Sequence, residues 1–211
     1  MKTELYNLQN TRWPQSGKHV MAQFNDDSII VYQAYRPSIA DYAIEHQKFG
    51  GDFKYTRMSW IKPNFLWMMY RAGWAEKQGQ ERILAIHLNR SFFDELAEEA
   101  IASSFRASSF ESSDDWKRRV AQSDVRLQWD PDHDPHGNKL DRRAVQLGLR
   151  GHMLERFGTQ EIQQIEDVTE FVSEQRSNVV NPYDHLEIPS EEVYPLTKEA
   201  IINLKADEYR R

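Results

Sequence analysis

The sequence contains no cysteine and no long apolar run. Without thiols the chain can form no disulfide, no zinc–thiolate or iron–sulfur site and no thiol nucleophile. Its longest apolar stretch, at residues 65–70, falls far short of the roughly 20 residues that a membrane span requires. The N-terminal residues also lack the apolar core of a signal peptide. Together these absences predict a cytoplasmic protein that makes no membrane contact.

An excess of positive charge is missing as well. The net charge is −6, so the whole chain lacks the electrostatic footprint of a general nucleic-acid binder. Basic residues nevertheless outnumber acidic ones between Lys54 and Arg90. A basic, aromatic-rich segment in an acidic protein favours a small anionic ligand or nucleotide over a long polyanion. The alternative, that these charges only solvate helix faces, stays open.

Segments with strand composition and segments with helical periodicity predict an α+β protein. Residues 28–35 (SIIVYQAY) have the composition of a buried strand, and Pro37 opens a helix that extends to about residue 46. Residues 125–129 and 145–149 alternate, which predicts a hairpin connected by the Asp-, Pro- and Gly-rich stretch 130–143. Further strands are expected at 53–60, 82–88 and 162–165, and further helices at 63–73, 91–101, 116–121 and 152–157.

The chain shows no internal repeat and no linker that divides it. We therefore predict a single α+β domain at residues 19–175, with a mostly antiparallel, split central sheet flanked by helices. Residues 1–18 are polar and are expected to form an N-terminal arm. Residues 176–211 are expected to form an acidic C-terminal extension with a short helix.

Polar residues at the end of the first long predicted strand form one candidate site. Gln33, Tyr35 and Arg36 directly precede a helix N-terminus, where exposed backbone N–H groups favour anions. On a functional interpretation, these side chains line a ligand pocket. The structural alternative is a buried Gln33 that satisfies backbone groups at the strand end, and the sequence does not decide between the two.

The segment 57–74 (RMSWIKPNFLWMMYRAGW) is the most unusual in the chain. Aromatic faces stack on bases or on nicotinamide, and arginine binds phosphate through paired N–H donors. Residues at helical spacing such as Trp67 and Met68 are more typical of core positions. The candidate ligand-binding residues in the segment are Arg57, Ser59, Trp60, Lys62, Tyr70 and Arg71.

The predicted hairpin carries a second set of polar residues. Gln128 and Gln146 lie on its two strands, and two strand-borne amides that face one cleft suit recognition of an amide or a base edge. Gly148, within a strand, indicates a bulge or the close approach of another group. We therefore include both glutamines among the candidate site residues.

The loop from Asp130 to His136 begins with the ligand spacing of a calcium site. Pro135 stands where that site needs glycine, and Asp141 stands where it needs a closing glutamate. This pattern favours a solvated turn, so no metal site is predicted. The sequence also lacks the HExxH, GxSxG, GxGxxG and P-loop motifs, which leaves the common hydrolase, protease, Rossmann and P-loop functions without support.

Four stretches resemble the family known as domain of unknown function 4291. They are VYQAYRPSIADYAIEHQKFGG, RMSWIKPNFLWMMYRAGWAEKQGQERILAIHL, VRLQWDPDHDP and RRAVQLGLRG. The resemblance extends over residues 20–172, most of the chain, and its motifs are long and specific. It names no reaction by itself.

The order of strand, polar residue and helix, followed by IEHQKFGG, is also similar to the opening of ADP-ribosyltransferase-like folds. That resemblance implies NAD as a cofactor, catalytic positions at Gln33, Arg57 and Gln146, and a second motif that opens at Ser59 or Trp60. Gln33 stands where those proteins carry His or Arg, and Gln146 stands where they carry a catalytic glutamate. Because glutamine cannot act as a general base, it stays open whether the chain is an enzyme.

The leading hypothesis is an enzyme or former enzyme that binds a nucleotide such as NAD, or a nucleic-acid end. Arg57, Lys62 and Arg71 would hold phosphates, Trp60 and Tyr35 would stack on a ring, and the three glutamines would contact polar edges. One alternative is a non-catalytic module that binds a protein or RNA. Another is a metal-dependent hydrolase that uses Asp130, Asp132, His133 and His136.

Overall fold

Strands and helices alternate along the chain in the computed structural model, which describes residues 1–209. Within that range the strands are β1 (Thr3–Leu5), β2 (Gly17–Lys18), β3 (Met21–Ala22), β4 (Ser28–Tyr35), β5 (Ser59–Ile61), β6 (Arg82–Asn89), β7 (Ile101–Ala102), β8 (Val125–His133), β9 (Lys139–Leu149), β10 (Ile162–Asp167), β11 (Glu187–Pro189) and β12 (Glu192–Val193). The helices are α1 (Tyr6–Asn10), α2 (Pro37–His46), α3 (Phe65–Ala72), α4 (Arg90–Glu99), α5 (Ser113–Gln122), α6 (Gly151–Thr159), α7 (Thr169–Ser177) and α8 (Lys198–Leu204). This mixture confirms the predicted α+β class.

Two sheets, joined at one point, form the centre of the molecule. The first is antiparallel, in the order β10-β6-β4. The second has the order β2-β9-β8-β7, and β5 also pairs with β9. The two sheets meet between β4 and β5, where the backbone N–H of Tyr32 donates to the carbonyl oxygen of Lys62 at 2.7 Å. Most of the pairings are antiparallel, as predicted; β2 with β9 and β7 with β8 are parallel.

The predicted hairpin is confirmed, but its connection is much shorter than expected. Strands β8 and β9 are antiparallel and place Gln128 opposite Gln146. Pairing continues to His133 and Lys139, so most of the stretch expected to be a loop is strand. The turn is closed by Asp134, whose carboxylate accepts from the N–H of Asn138 at 2.8 Å, and by Gly137 at φ 86°. An Asx-type turn with a left-handed glycine reverses the chain in few residues.

Residues 53–60 are the second correction, because only Ser59–Ile61 form a strand there. The rings of Phe53 and Tyr55 lie 4.8 Å apart, and Phe53 also lies 4.6 Å from Phe49. Aromatic residues favour strands in general, but here their burial against each other replaces strand pairing.

Two apolar clusters lie on opposite sides of the first sheet. One contains Val31 and Leu84 and extends over Leu147 and Leu149 of the second sheet. The other contains Tyr32 and Ala85, and helix α3 packs there together with the N-terminal segment and Leu186 and Ile188. The terminal segments meet where β1 pairs with β11. Among residues 1–209, every helix is too short or too polar to cross a bilayer.

Candidate functional site

Strand β5 separates two groups of polar side chains. Ser59 pairs with Leu149 and Ile61 with Leu147, so these residues face the apolar cluster between the sheets. Trp60 pairs with Gly148 and faces the opposite side, because successive side chains on a strand alternate. A Cβ at Gly148 would lie 3.0 Å from the Trp60 ring, so the glycine provides the room that the indole occupies.

The inner group consists of Gln33, Tyr35 and Ser59. The amide nitrogen of Gln33 donates to Ser59 Oγ at 2.8 Å and to the carbonyl oxygen of Trp60 at 3.1 Å. The hydroxyls of Tyr35 and Ser59 lie 3.1 Å apart. Gln33 is buried, and the ring of Tyr35 packs near Phe49 at 5.5 Å. These contacts tie β4 to β5, so the three side chains hold the junction of the two sheets.

The outer group consists of Trp60, Lys62, Gln128, Asp130 and Gln146. Gln128 and Gln146 are cross-strand partners. Their amide nitrogens donate to the two oxygens of Asp130, at 2.8 Å from Gln128 and 2.6 Å from Gln146. The carboxylate is therefore held in one orientation at the surface of the second sheet, and Asp130 is only partly buried.

Lys62 supplies a buried amine beside this carboxylate. Its side chain is 7% exposed, and Nζ lies 3.4 Å from the carbonyl oxygen of Trp60 and 5.4 Å from the centre of the Trp67 ring. Among residues 1–209 no carboxylate lies within ion-pair distance of Nζ. Burial lowers the pKa of Lys62 to about 8; the charge of Arg71 lowers it further and that of Asp130 opposes the change. The amine is thus mainly charged at neutral pH and loses its proton in mild alkali.

Helix α3 covers one side of the outer group. Asn64 caps the helix by accepting from the N–H of Trp67 at 2.7 Å. Glu191, which is buried, accepts from the backbone N–H of Phe65 at 2.6 Å and from the Asn64 amide at 3.2 Å. Burial raises the pKa of Glu191 to about 8, against the opposing effect of these bonds. The start of α3 is therefore anchored by a carboxyl group that titrates near neutral pH.

The helix brings an aromatic and a cation to the rim of the outer group. Tyr70 is 43% exposed and stacks on the imidazole of His133, with ring centres 3.5 Å apart. Arg71 is exposed, and its charge acts on Lys62. Within the described chain, Trp67 Nε1 and both ring nitrogens of His133 are buried without hydrogen-bond partners. Burial lowers the pKa of His133, which favours the neutral ring.

Two predicted site residues lie apart from both groups. Arg36 is exposed and pairs with Asp52 at 2.9 Å. Arg57 is exposed in the turn before β5, and its guanidinium forms no hydrogen bond or ion pair with the described residues. The structure therefore brings together Trp60, Lys62, Gln128 and Gln146, with Tyr70 and Arg71 at the rim. Gln33, Tyr35 and Ser59 lie on the other side of β5, and the two groups meet at the carbonyl oxygen of Trp60, which both Gln33 and Lys62 contact.

Sequence reasoning did not find Asp130 as a partner of the glutamines, because it assigned this residue to a loop. The signal was the alternation of Gln128 and Asp130 along VRLQWD, which places both on one strand face. The other acidic positions have different surroundings: Asp132 is buried and accepts from Arg142 at 2.7 Å. Across residues 1–209, no three His, Asp or Glu side chains are grouped so as to hold a metal ion.

Comparison with known proteins agrees with the resemblance noted from the sequence. The chain matches none of the curated proteins with which it was compared. Residues 19–194 match the model of a family described as Domain of unknown function (DUF4291). That match includes β3 to β12 and every residue of the inner and outer groups. Since it extends over more than half of the chain, this protein belongs to the DUF4291 family.

Proposed function

We propose that the outer group, together with Arg71, binds a nucleotide or the end of a nucleic acid. The observation that carries this proposal is the oriented Asp130 carboxylate beside the buried amine of Lys62 and the indole of Trp60. A buried ammonium without an ion-pair partner in the described chain is unfavourable for folding. Its retention is understandable if an anionic ligand supplies the missing charge.

The base, the phosphate and the ribose of a nucleotide can each be assigned to a side chain of the outer group or to Arg71. The partly exposed Trp60 ring provides a stacking surface for a base, because every base has a π face. Lys62 and Arg71 provide positive charge for phosphate. Asp130 accepts hydrogen bonds, which suits ribose hydroxyls or an exocyclic amine. The carbonyl oxygens of Gln128 and Gln146 remain as further acceptors.

NAD belongs to this ligand class, and a transferase is the catalytic form of the proposal. Gln146 cannot serve as a general base. Asp130 supplies a carboxylate 2.6 Å from the Gln146 amide, so the outer group contains a group of the required chemistry on the neighbouring strand. In this form of the proposal Lys62 holds phosphate and Gln146 orients Asp130.

The test measures binding of NAD, ADP-ribose, ATP, GMP and CMP by thermal shift and by calorimetry. Binding at 100 times the dissociation constant should raise the stability of the native state by roughly 2.7 kcal/mol. Trp60→Ala, Lys62→Met and Arg71→Ala should each weaken the bound ligand at least tenfold. Arg36→Ala is the matched control, because this exposed arginine pairs with Asp52 away from the outer group. The proposal fails if no nucleotide binds, or if the three variants bind like the control.

A further inference from the structure

A large cavity lies beside the open edge of β8. Its volume is about 1290 Å³, larger than the roughly 300–1,000 Å³ of most small-ligand sites. The Ser-rich segment 103–109 forms one side, and the ends of α4, α5 and α8 form others. Strand β7 pairs with β8 only at Arg126 and Leu127, so the next residues of β8 open onto the cavity.

The cavity is lined by cations that lack ion-pair partners among residues 1–209. Lys18, Arg106, Arg119 and Arg143 line it, and none of their side chains forms an ion pair in that part of the chain. In a protein of net charge −6, such a cluster is unusual. Unpaired cations around one cavity favour an anionic ligand with several charges.

Acidic residues in the lining are largely occupied by other groups. Glu95 accepts from Arg156 at 2.6 Å and Asp124 pairs with Arg150 at 3.6 Å. Glu98 accepts from the hydroxyl of Thr197 at 2.6 Å. Because a hydroxyl carries no charge, Glu98 and Glu99 are both left without a cation partner in the described chain, but the lining cations without an ion pair outnumber these two carboxylates.

Aromatic rings lie among these cations. Phe110 and Trp129 line the cavity. Proteins that bind single-stranded nucleic acids combine a basic groove for the backbone with aromatic rings on which bases stack. The composition of the lining matches that combination.

The cavity and the outer group share one residue. Gln128 lines the cavity, and its amide donates to Asp130 in the outer group. Trp129, the next residue of β8, also lines the cavity and faces the other side of the sheet, so a nucleic-acid strand would pass from the outer group around the open edge of β8 to reach the cavity.

We infer that the cavity holds the phosphate chain of a single-stranded nucleic acid whose terminal nucleotide lies on the outer group. This inference rests on the proposed function and selects a polynucleotide over a free mononucleotide as the ligand. The net acidic charge of the protein does not oppose it, because Lys and Arg outnumber Asp and Glu in the cavity lining. The Ser-rich segment and the three arginines then bind the sugar–phosphate backbone of the nucleic acid, and the outer group binds its terminal nucleotide.

The experiment measures the affinity of unlabelled RNA and DNA strands of one to six nucleotides by calorimetry at several salt concentrations. Affinity should increase at least tenfold from the mononucleotide to the longest strand. Combining Arg106→Ala, Arg119→Ala and Arg143→Ala should abolish this increase and reduce the slope of log K against log salt by about 2. The combined variant of Lys2, Lys48 and Lys198 to alanine removes the same charge outside the cavity and should retain both properties. The RNA and DNA series show which sugar is preferred.

Thermal unfolding of the arginine variant first establishes that it folds; if it does not, the three single variants replace it. Affinity that does not depend on strand length, or an arginine variant that retains the full salt slope, overturns the inference. Failure of the proposed function gives a different result: longer strands bind through the cavity arginines, whereas mononucleotides do not bind and Trp60→Ala has no effect. In that case the cavity still binds the nucleic-acid backbone, but the outer group does not bind the terminal nucleotide.

Discussion

The inner and outer groups lie on the two sides of β5 and contribute differently to the stability of the fold. In the inner group most polar atoms satisfy one another, as in the contacts of Gln33 and Tyr35 with Ser59, although the Oε1 atom of Gln33 is buried without a partner in the described chain. In the outer group, Lys62 is buried without an ion pair in the described chain, and its pKa is lowered. Buried polar groups that are paired stabilise a fold, whereas unpaired ones destabilise it.

Under the proposed function, this contrast distinguishes polar residues that hold the fold from polar residues that bind a ligand. A polar side chain whose partners are internal needs no ligand to explain it. A polar side chain that destabilises the fold at a partly open surface is explained by a ligand, since stability is commonly reduced where a site serves binding. Substitutions test this comparison, because those in the inner group should lower the free energy of unfolding and replacement of Lys62 in the outer group should raise it.

The largest expected effect is on the inner face. Tyr35→Ala should lower the free energy of unfolding by about 3 kcal/mol, because it removes a ring packed near Phe49 and leaves Ser59 without its partner. Tyr35→Phe keeps the ring and loses one hydrogen bond, so about 1 kcal/mol is expected. Urea denaturation measures both. If ligand affinity fell and stability did not, Tyr35 would belong functionally to the outer group.

Glu191 tests whether the anchor of α3 depends on pH. Its folded-state pKa of about 8 lies above the ordinary glutamate pKa of 4.5, so the native state binds more protons than the unfolded state between these values. Stability should therefore fall as pH rises through that window, by about 2 kcal/mol between pH 6 and 8. Glu191→Gln cannot ionise and should flatten the dependence. The same slope in both proteins would assign the effect to another group.

The sequence predicted the elements whose pattern is local and strong. Strand β4, helix α2 and the hairpin of β8 and β9 follow from β-branched composition, Pro37 and alternation. The length of the hairpin turn was wrong, because Pro131 and the acidic residues resemble a loop although β8 continues through a bulge to His133. Pairing with β9 overrides the low strand propensity of those residues.

The candidate site residues were chosen by residue type, and the sequence did not show that they lie on two sides of β5. Gln33 and Gln146 looked equivalent in sequence, yet one holds a sheet junction and the other orients Asp130. Which residues share a face across strands depends on the register between β5 and β9, and register is set by long-range packing. The stacking of Tyr70 on His133 depends in the same way on how α3 docks.

Lys62→Met should act in the opposite direction to the inner-face substitutions. Below pH 8 the buried amine is charged in both folded and unfolded states, and its desolvation penalty is fully present. Replacing it with an apolar chain of similar length should stabilise the protein by about 1–2 kcal/mol at pH 7. The gain should shrink as pH rises from 8 to 10.5, where the amine loses its proton. Denaturation at pH 7 and 10 measures this, and a destabilised variant at pH 7 would contradict the contrast between the faces.

The smallest effect concerns the room that Gly148 leaves for Trp60. Gly148→Ala would place a Cβ 3.0 Å from the indole and 2.8 Å from the sulfur of Met58, so both side chains must move. Because these are side-chain rather than backbone contacts, the expected loss of stability is about 1 kcal/mol. Affinity for a stacked base should fall with it, since the ring no longer lies over the strand.

A double-mutant cycle separates this effect from backbone strain in β9. Trp60→Ala and Met58→Ala together remove both side chains that a Cβ at position 148 would meet, so adding Gly148→Ala to that background should cause little further loss of stability or affinity. Additive losses would mean that the glycine serves the backbone of β9 and not the indole. The binding surface of Trp60 would then have to be explained without the close approach at position 148. A strong coupling instead assigns Gly148 to the outer group, although it has no side chain to contact a ligand.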